Sequence, residues 1–383
     1  MNKYLYILGL AGTALLSACS SDDLTKVPSP EDERAIIVEA SRDSDVPITL
    51  GIGQSRGDTR APLVPGEGGV FTSNNLAVFC LSTGTQTNVS NIPSTIKKNN
   101  WSKDKEGELG GLLVRMNNVD ASVASGSVTY GAGNYYYYPM GNWMKYNFYA
   151  YYPKQTNEAN VLFSENQVAV RFTETDGLDG TKDIIWGRAY PETNPDPATD
   201  HDPYCADYFR FNTTSEGPQF KFEHKLVQFK FFVKAAGQAV GAKVTDMYIS
   251  NAIKQLTLIV ANKNDTTKNG RVTPATSKTG KLNIKKLADD QDRFDGTDAN
   301  ALTLKASEQE VGYLMLPAPP NLSGPESAGF KYQISVTVKF TDDSTQDISF
   351  DMIPKTQIPG SDPAEYGFEP GKIYKILITI DKD

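Results

Sequence analysis

Short segments in which apolar and polar residues alternate recur along most of the chain. A period of two places every second side chain on the same face, as in a β-strand with one buried face. The clearest example is residues 373–380 (IYKILITI), in which Tyr374, Ile376, Ile378 and Ile380 share one face. The chain has 31 Gly and 22 Pro, and many of them separate these segments. The pattern predicts an all-β protein rather than an α/β protein.

The number and spacing of the segments predict two tandem antiparallel β-sandwich domains, transthyretin-like or immunoglobulin-like, with short helical turns. We place the N-terminal domain at residues 46–212 and the C-terminal domain at residues 217–383. Within the first domain, residues 128–130 and 135–138 are predicted to form a hairpin. In the second, the apolar positions change parity at residues 226–227, which predicts a β-bulge there.

The N-terminus has the features of an export signal. An apolar run over residues 4–16 is shorter than the roughly 20 residues of a membrane-spanning helix and is typical of a signal peptide. The run ends in LSAC at residues 16–19, the pattern of a bacterial lipobox, which predicts a diacylglycerol on Cys19. We therefore expect a signal peptide at residues 1–18 and a lipid tether or propeptide at residues 19–45.

Charge and cysteine content limit the classes of partner and scaffold. The formal net charge is −8 and no basic stripe is present, which argues against nucleic acid as a partner. After lipidation of the first of the three cysteines, Cys80 and Cys205 remain. They form either one disulfide in an oxidising compartment or two buried free thiols.

Few residues suggest catalysis or metal binding. His201 lies in a loop with Asp200 and Asp202, but this loop has no second closely spaced pair of zinc ligands. His224 lies on a predicted strand, where we interpret it as structural. We expect no enzymatic activity, no metal and no cofactor apart from the covalent lipid.

Five short motifs resemble landmarks of one protein family. FYAYYP at residues 148–153 is similar to an aromatic strand of the Bacteroidales fimbrillin-like proteins. FEHKLVQF at residues 222–229 is similar to the strand that opens their second domain. YLMLP at residues 313–317 and PGKIY at residues 370–374 match two further landmarks. DTRA at residues 58–61 stands where these proteins often have a Thr-Arg-Ala segment.

The resemblance implies a structural subunit, a fimbrillin, of a type V pilus that supports adhesion and colonisation. Such a precursor is exported as an outer-membrane lipoprotein, cleaved after an arginine and polymerised by strand exchange into a cell-surface fimbria. Its partners would be other copies of itself, related pilus subunits, the outer membrane through the lipid, and a host or bacterial surface receptor. The alternatives are a non-polymerising tip or anchor adhesin and a glycan-binding surface lipoprotein.

This mechanism assigns a role to residues 46–60, which would contain a removable first strand and a cleavage loop. One face of the strand has three apolar residues, Ile48, Leu50 and Ile52. The polar loop after it contains Arg60, the preferred cleavage site, and Arg56, the second choice. Exposed polar loops are where proteases cut, although both arginines can also be read as solvated loop charges.

The last strand is the candidate donor that would replace the first strand of a neighbouring subunit. Its apolar face is formed by Tyr374, Ile376, Ile378 and Ile380. A row of alternate apolar side chains suits insertion at an exposed sheet edge. The alternative is a core strand of its own domain, and both interpretations can hold before assembly.

Overall fold

The computed structural model describes residues 43–52, 73–85, 114–124, 126–131, 134–139, 144–190, 204–211, 217–324, 327–355, 357–361 and 363–382. Within these ranges the chain is nearly all β, with one short helix, α1 (Ala206–Phe211), and three 3₁₀ turns. The predicted all-β class is therefore confirmed, and the number of tandem sandwiches stays a prediction. No helix in these ranges has the length and apolarity needed to cross a bilayer.

Seven strands of the N-terminal half close into a barrel. They are β2 (Leu50–Ile52), β3 (Ser73–Thr85), β4 (Val114–Ala124), β5 (Ser127–Tyr130), β7 (Met144–Tyr152), β10 (Ile185–Tyr190) and β11 (Gln219–His224). Their order around the barrel is β10-β11-β2-β5-β4-β3-β7. A separate two-stranded sheet pairs β1 (Asp43–Pro47) with β6 (Tyr137–Pro139).

The strand pairing of the N-terminal half differs from the prediction in two places. The single strand expected around residues 46–52 is divided, because β1 ends at Pro47 and β2 begins at Leu50. The predicted hairpin of residues 128–130 and 135–138 is wrong. β5 pairs with β4 across a turn at Gly126, whose φ is +81°, and with β2 on its other edge. With both edges of β5 occupied, β6 pairs with β1 instead.

Two sheets enclose the core of the C-terminal half. The first contains β12 (Leu226–Ala235), β18 (Gln309–Pro317) and β21 (Ile373–Ile380), in the order β18-β12-β21. The second contains β13 (Lys243–Ile253), β16 (Thr279–Asn283), β17 (Leu302–Thr303), β19 (Gln333–Lys339) and β20 (Thr345–Asp351). Its order is β16-β13-β19-β20, with β17 also beside β13. Phe229, Phe231 and Val336 are among the fully buried side chains between these sheets.

A fifth sheet joins the two halves. It contains β8 (Val161–Phe163), β9 (Gln167–Thr173), β14 (Gln255–Asn262) and β15 (Val272–Pro274), in the order β15-β14-β9-β8. The pairing that crosses between the halves is that of β9 with β14. Behind this sheet lies a cluster that we call the junction core, which includes Phe79, Tyr151, Trp186, Leu258 and Met315. The Trp186 Nε1 donates a hydrogen bond to the Val260 carbonyl at 2.9 Å.

The aromatic strand β7 is buried on both faces. Phe148 and Ala150 face the barrel interior, whereas Tyr149 and Tyr151 face the junction core. A strand covered on both sides loses the usual alternation of apolar and polar residues. Two-sided burial is therefore the physical reason for the continuous aromatic run of FYAYYP.

The crossover between the halves lies at Lys225, later in the chain than predicted. β11, which was predicted to lie in the C-terminal domain, belongs to the barrel and pairs with β10 and β2. Leu226 and Val227 are both fully buried, the first in the junction core and the second in the C-terminal core. The change of parity thus reflects two cores on opposite faces. The predicted bulge at residues 226–227 is wrong, and the register shift lies at residues 231–232.

A buried carboxylate holds this crossover in place. Asp183 is fully buried, and its Oδ1 accepts a hydrogen bond from the Leu226 backbone N–H at 3.0 Å. Its Oδ2 lies 2.5 Å from the His224 Nδ1. Burial raises the pKa of Asp183 above its ordinary value, and the hydrogen bond with His224 opposes that rise. His224 is accordingly a structural residue in this fold.

We expect Asp183→Ala to lower the free energy of unfolding by about 2–3 kcal/mol, because it leaves a buried backbone N–H and the His224 ring without their acceptor. Urea denaturation followed by circular dichroism would measure the change. As a control, Asp347→Ala removes an exposed carboxylate that accepts only a hydroxyl hydrogen bond from Thr337, and should stay within about 0.5 kcal/mol of the wild type. Equal effects of both substitutions would contradict the role of Asp183.

Candidate assembly site

The structure places the predicted assembly residues in separate regions. Cys19, Arg56 and Arg60 lie outside the described residues. The first-strand residues lie in and next to β2 in the barrel, and the last-strand residues lie in β21 in the C-terminal half. No strand pairing in the described part of the chain connects β2 with β21. Within the described residues, the two segments therefore belong to different sheets.

The barrel is completed by a short seam, which we define as β2 together with the facing edges of β5 and β11. β2 runs antiparallel to β5, and its Cα partners there are Leu50 with Val128 and Gly51 with Ser127. β2 runs parallel to β11, and its partners there are Gly51 with Gln219 and Ile52 with Phe220. A strand of three residues thus connects two neighbours that would otherwise be open edges.

The side chains of the first strand fill the barrel core at this seam. Ile48 and Leu50 are only 2% and 5% exposed, and Ile52 is half-buried against the same core. Phe148 and Phe220 are fully buried members of that core. Each buried aliphatic side chain contributes roughly 1.5–3 kcal/mol, so a very short segment supplies an appreciable part of the apolar contacts at the seam.

Two glycines allow close approach of the backbones at the seam. A Cβ on Gly217 would lie 2.1 Å from the Thr49 carbonyl oxygen, which only a backbone shift could relieve. A Cβ on Gly51 would lie 2.3 Å from the Gln219 Oε1, at the end of a flexible side chain. Any replacement for β2 that has a side chain at the position of Gly51 must therefore displace Gln219, whereas the backbone path beside Gly217 stays fixed.

β21 is an edge strand of its own sheet. It pairs in parallel with β12 along its whole length, from Ile373 beside Gln228 to Ile380 beside Ala235. Its other edge has no strand partner among the described residues. Ile378 and Ile380 are buried, and Tyr374 and Ile376 are half-buried against the same core. In this molecule the strand therefore closes its own core, as the alternative interpretation of the last strand expects.

Polar contacts hold the end of β21 in place. The Lys382 Nζ lies 2.6 Å from the Asp342 Oδ2 and 4.7 Å from the centre of the Phe340 ring. Along the strand, Lys375 forms an exposed ion pair with Glu308. Neither Asp342 nor Glu308 was predicted as a partner, because nothing in the local sequence indicates which distant carboxylate a lysine will contact.

The remaining candidate residues from the sequence are the histidines and the cysteines. No group of His, Cys, Asp and Glu among the described residues could hold a metal ion, and His201 with its neighbouring aspartates lies outside those residues. Cys80 and Cys205 are both buried and form no disulfide in this structure, and burial raises the pKa of the Cys80 thiol. A cavity of about 370 Å³ at the crossover is lined by His224, Lys225 and Pro370, among others.

The place of β11 beside β2 was not predicted from the sequence. The segment was expected to open the second domain, because its apolar positions run on into β12 with only one intervening residue. The available signal was Gly217, which stands two residues before the strand begins and allows the close approach to Thr49. A glycine at a strand end often marks such close approach of another backbone.

Several solved bacterial structures are similar to this chain at low sequence identity. A Bacteroides uniformis protein proposed to act in cell adhesion is 14% identical, with a TM-score of 0.42, and the match covers 88% of this chain and 94% of that one. A similarly described Bacteroides ovatus protein is 14% identical, with a TM-score of 0.43 and coverage of 89% and 93%. The fimbrial anchor protein Mfa2 from Porphyromonas gingivalis is 8% identical, with a TM-score of 0.31 and coverage of 80% and 83%.

The comparison with curated proteins finds no match. The family model described as fimbrillin-like matches residues 59–383, which is most of the chain. This match confirms the resemblance inferred from the aromatic strand, the crossover and the last strand. The chain therefore belongs to the fimbrillin-like family, and it is a structural protein rather than an enzyme.

Proposed function

We propose that this chain is a pilus subunit that polymerises by exchanging β2 for the last strand of a neighbouring copy. Membership of the fimbrillin-like family supports a role in a fimbria or in adhesion at the cell surface. The observation that carries the finer proposal is the seam, where three residues complete a seven-stranded barrel. Without them, a groove with an apolar floor would open between β5 and β11 and would accept a strand of matching period.

Removal of β2 leaves the barrel in need of a replacement. If Ile48, two residues before β2, leaves together with Leu50, their sites in the barrel core would lose contacts at a cost of roughly 1.5–3 kcal/mol for each side chain. Backbone N–H and C=O groups along the edges of β5 and β11 would also lose their partners. A strand from a second copy restores both kinds of contact, so release of β2 and capture of the new strand are coupled.

The position of β21 favours its transfer to another copy. β21 is an edge strand, so its release breaks backbone hydrogen bonds to one neighbour, β12, whereas a central strand would lose them on both sides. The exposed ion pair of Lys375 with Glu308 adds little to its retention, because exposed pairs contribute about 0–1 kcal/mol. Donor and acceptor are different segments in different sheets, so the proposed contact is head-to-tail and would extend into a filament.

Export and proteolysis would prepare the subunit for assembly. Lipid on Cys19 would attach the precursor to the outer membrane, where two or three acyl chains give stable anchoring. Residues 53–72 connect β2 to β3 and contain Arg56 and Arg60. Cleavage after Arg60, or after Arg56 as the second choice, would therefore separate β2 and the lipid from the rest of the barrel. Other copies, related pilus subunits and a surface receptor would then be the partners.

We expect the double variant Arg56→Ala/Arg60→Ala to reach the cell surface uncut, to retain the lipid on Cys19 and to form no SDS-resistant ladder, because β2 stays in the seam. Mass spectrometry of surface-extracted protein would identify the N-terminus, which should be Ala61 in the wild type. The control Arg271→Ala removes an exposed arginine in the C-terminal half and should mature normally. Assembled wild-type fibres that retain residues 19–60 would contradict the proposal.

We also expect a synthetic peptide of residues 371–383, present in excess during maturation, to shorten the polymers, because it occupies the seam without offering a further acceptor. A peptide with the same residues in scrambled order lacks the alternate apolar row and should have no effect. Gel filtration and electron microscopy would measure polymer length. Equal polymer length with both peptides, at concentrations that saturate binding, would argue against β21 as the donor.

The contact of Lys382 with Asp342 makes retention of β21 dependent on pH. Hydrogen bonds from Lys382 and Ser344 hold the pKa of Asp342 well below its usual value. A depressed pKa means that the contact stabilises the fold fully above the ordinary carboxyl pKa of about 4, and that this stabilisation is lost gradually as the pH falls from there through the lower pKa of the folded state.

We expect Asp342→Asn to speed hydrogen exchange of the β21 amides at pH 5, and the difference from wild type to be smaller at pH 2 than at pH 5. The comparison at each pH cancels the intrinsic pH dependence of exchange. The control Asp351→Asn changes another exposed carboxylate near the sheet edge and should follow the wild type throughout. A difference that persists unchanged at low pH would contradict the role of this contact.

A further inference from the structure

We propose that the incoming strand takes one register in the seam, in which Ile378 of one copy occupies the position of Leu50 in the next. This inference rests on the proposed exchange of β2 for β21. The strand keeps the direction of β2, parallel to β11 and antiparallel to β5. The replaced positions begin at the end of β1 and run through β2. They are Val46 by Tyr374, Ile48 by Ile376, Leu50 by Ile378 and Ile52 by Ile380.

The sequences of the two segments match in this register along their whole length. Residues 46–54 read VPITLGIGQ and residues 374–382 read YKILITIDK, with apolar residues at the same four alternate positions. Small or polar residues then follow at the last two positions of both segments. A shift of two residues in one direction would move Ile380 beyond the apolar row, and a shift in the other would bring Lys382 to the position of Ile52.

Side-chain volume favours the same register. Ile48 and Leu50, the most buried residues of the first strand, would be replaced by isoleucines, and volume-conserving exchanges are tolerated best in a packed core. Tyr374 would take the position of Val46, which is only half-buried at the margin of that core. In the register that moves Ile380 beyond the apolar row, Tyr374 would have to enter the enclosed position of Ile48. A larger side chain there overpacks the core.

Charge and chain direction support the parallel orientation. β21 already runs parallel to β12, the strand into which β11 leads through Lys225. In the proposed register Ile380 takes the position of Ile52, whose partner on β11 is Phe220. If the parallel pairing continues by one residue, Asp381 of the incoming strand lies beside Lys221. Opposite charges on neighbouring strands stabilise their pairing. The reversed orientation would place Ile373 beside Lys221 and would lose this contact.

The pairing of β2 with β5 provides a direct readout of the register. The Ile52 N–H donates to the Gly126 carbonyl at 2.8 Å, which makes Gly51 and Ser127 a non-hydrogen-bonded pair with Cα atoms about 4.5 Å apart. A disulfide can span that separation. In the proposed register, Thr379 of the incoming strand stands opposite Ser127. In the shifted register that puts Tyr374 at the position of Ile48, Leu377 stands opposite Ser127. In the reversed orientation, Lys375 stands opposite Ser127.

The test uses pairs of full-length chains co-expressed with distinguishable tags, one with Ser127→Cys and the other with a cysteine in β21. The three pairings use Thr379→Cys, Leu377→Cys or Lys375→Cys. Cys80 and Cys205 are buried and stay unchanged, and a chain with Ser127→Cys alone is the background control. Non-reducing gels and mass spectrometry of isolated polymers would identify the linked peptides.

We expect the Thr379→Cys pairing to give at least tenfold more cross-linked dimer than the other two pairings. A dominant cross-link through Leu377→Cys or Lys375→Cys, or polymers with no cross-link in any pairing, would overturn the register and leave strand exchange as the proposed function. Failure of the unmodified chain to polymerise at all would overturn the proposed function, and the register with it.

Discussion

Burial of both faces of the central barrel strands is the constraint on which the rest of this structure depends. In β3, Val78 and Cys80 face the barrel core, whereas Phe79 faces the junction core. β7 alternates in the same way between Phe148 and Tyr149. Large aromatic side chains contribute much of the apolar area that proteins bury. One set of strands thus supplies one wall of the barrel and one wall of the junction.

The two-sided strands also determine how the halves are joined. The junction core is covered by a sheet to which both halves contribute, through β9 and β14. Trp186 packs in that core and donates to Val260 across it. Asp183 then holds the turn from β11 into β12 through Leu226 and His224. The chain passes from the N-terminal half to the C-terminal half at this turn, and the buried Asp183 carboxylate holds the turn in place.

The segments proposed to exchange lie at the margins of this framework. β2 pairs with two residues on each side, and β21 pairs with one neighbour only. Segments with few pairings open at lower free-energy cost than central strands do. Their removal would leave the junction core intact, because neither segment contributes a side chain to it. The proposed exchange of these two segments would therefore leave the junction core folded.

The sequence by itself determined the all-β class, the period of the strands and the face on which Ile48, Leu50, Ile378 and Ile380 lie, because alternation with a period of two is a local property. Motifs such as FYAYYP also indicated the family. Only the tertiary structure decided which strands are neighbours. β5 pairs with β4 and β2 instead of β6, and the parity change at Leu226 marks two cores instead of a bulge. The physical reason is that an apolar row has the same pattern whichever core buries it, so the choice of partner depends on contacts between residues far apart in the chain.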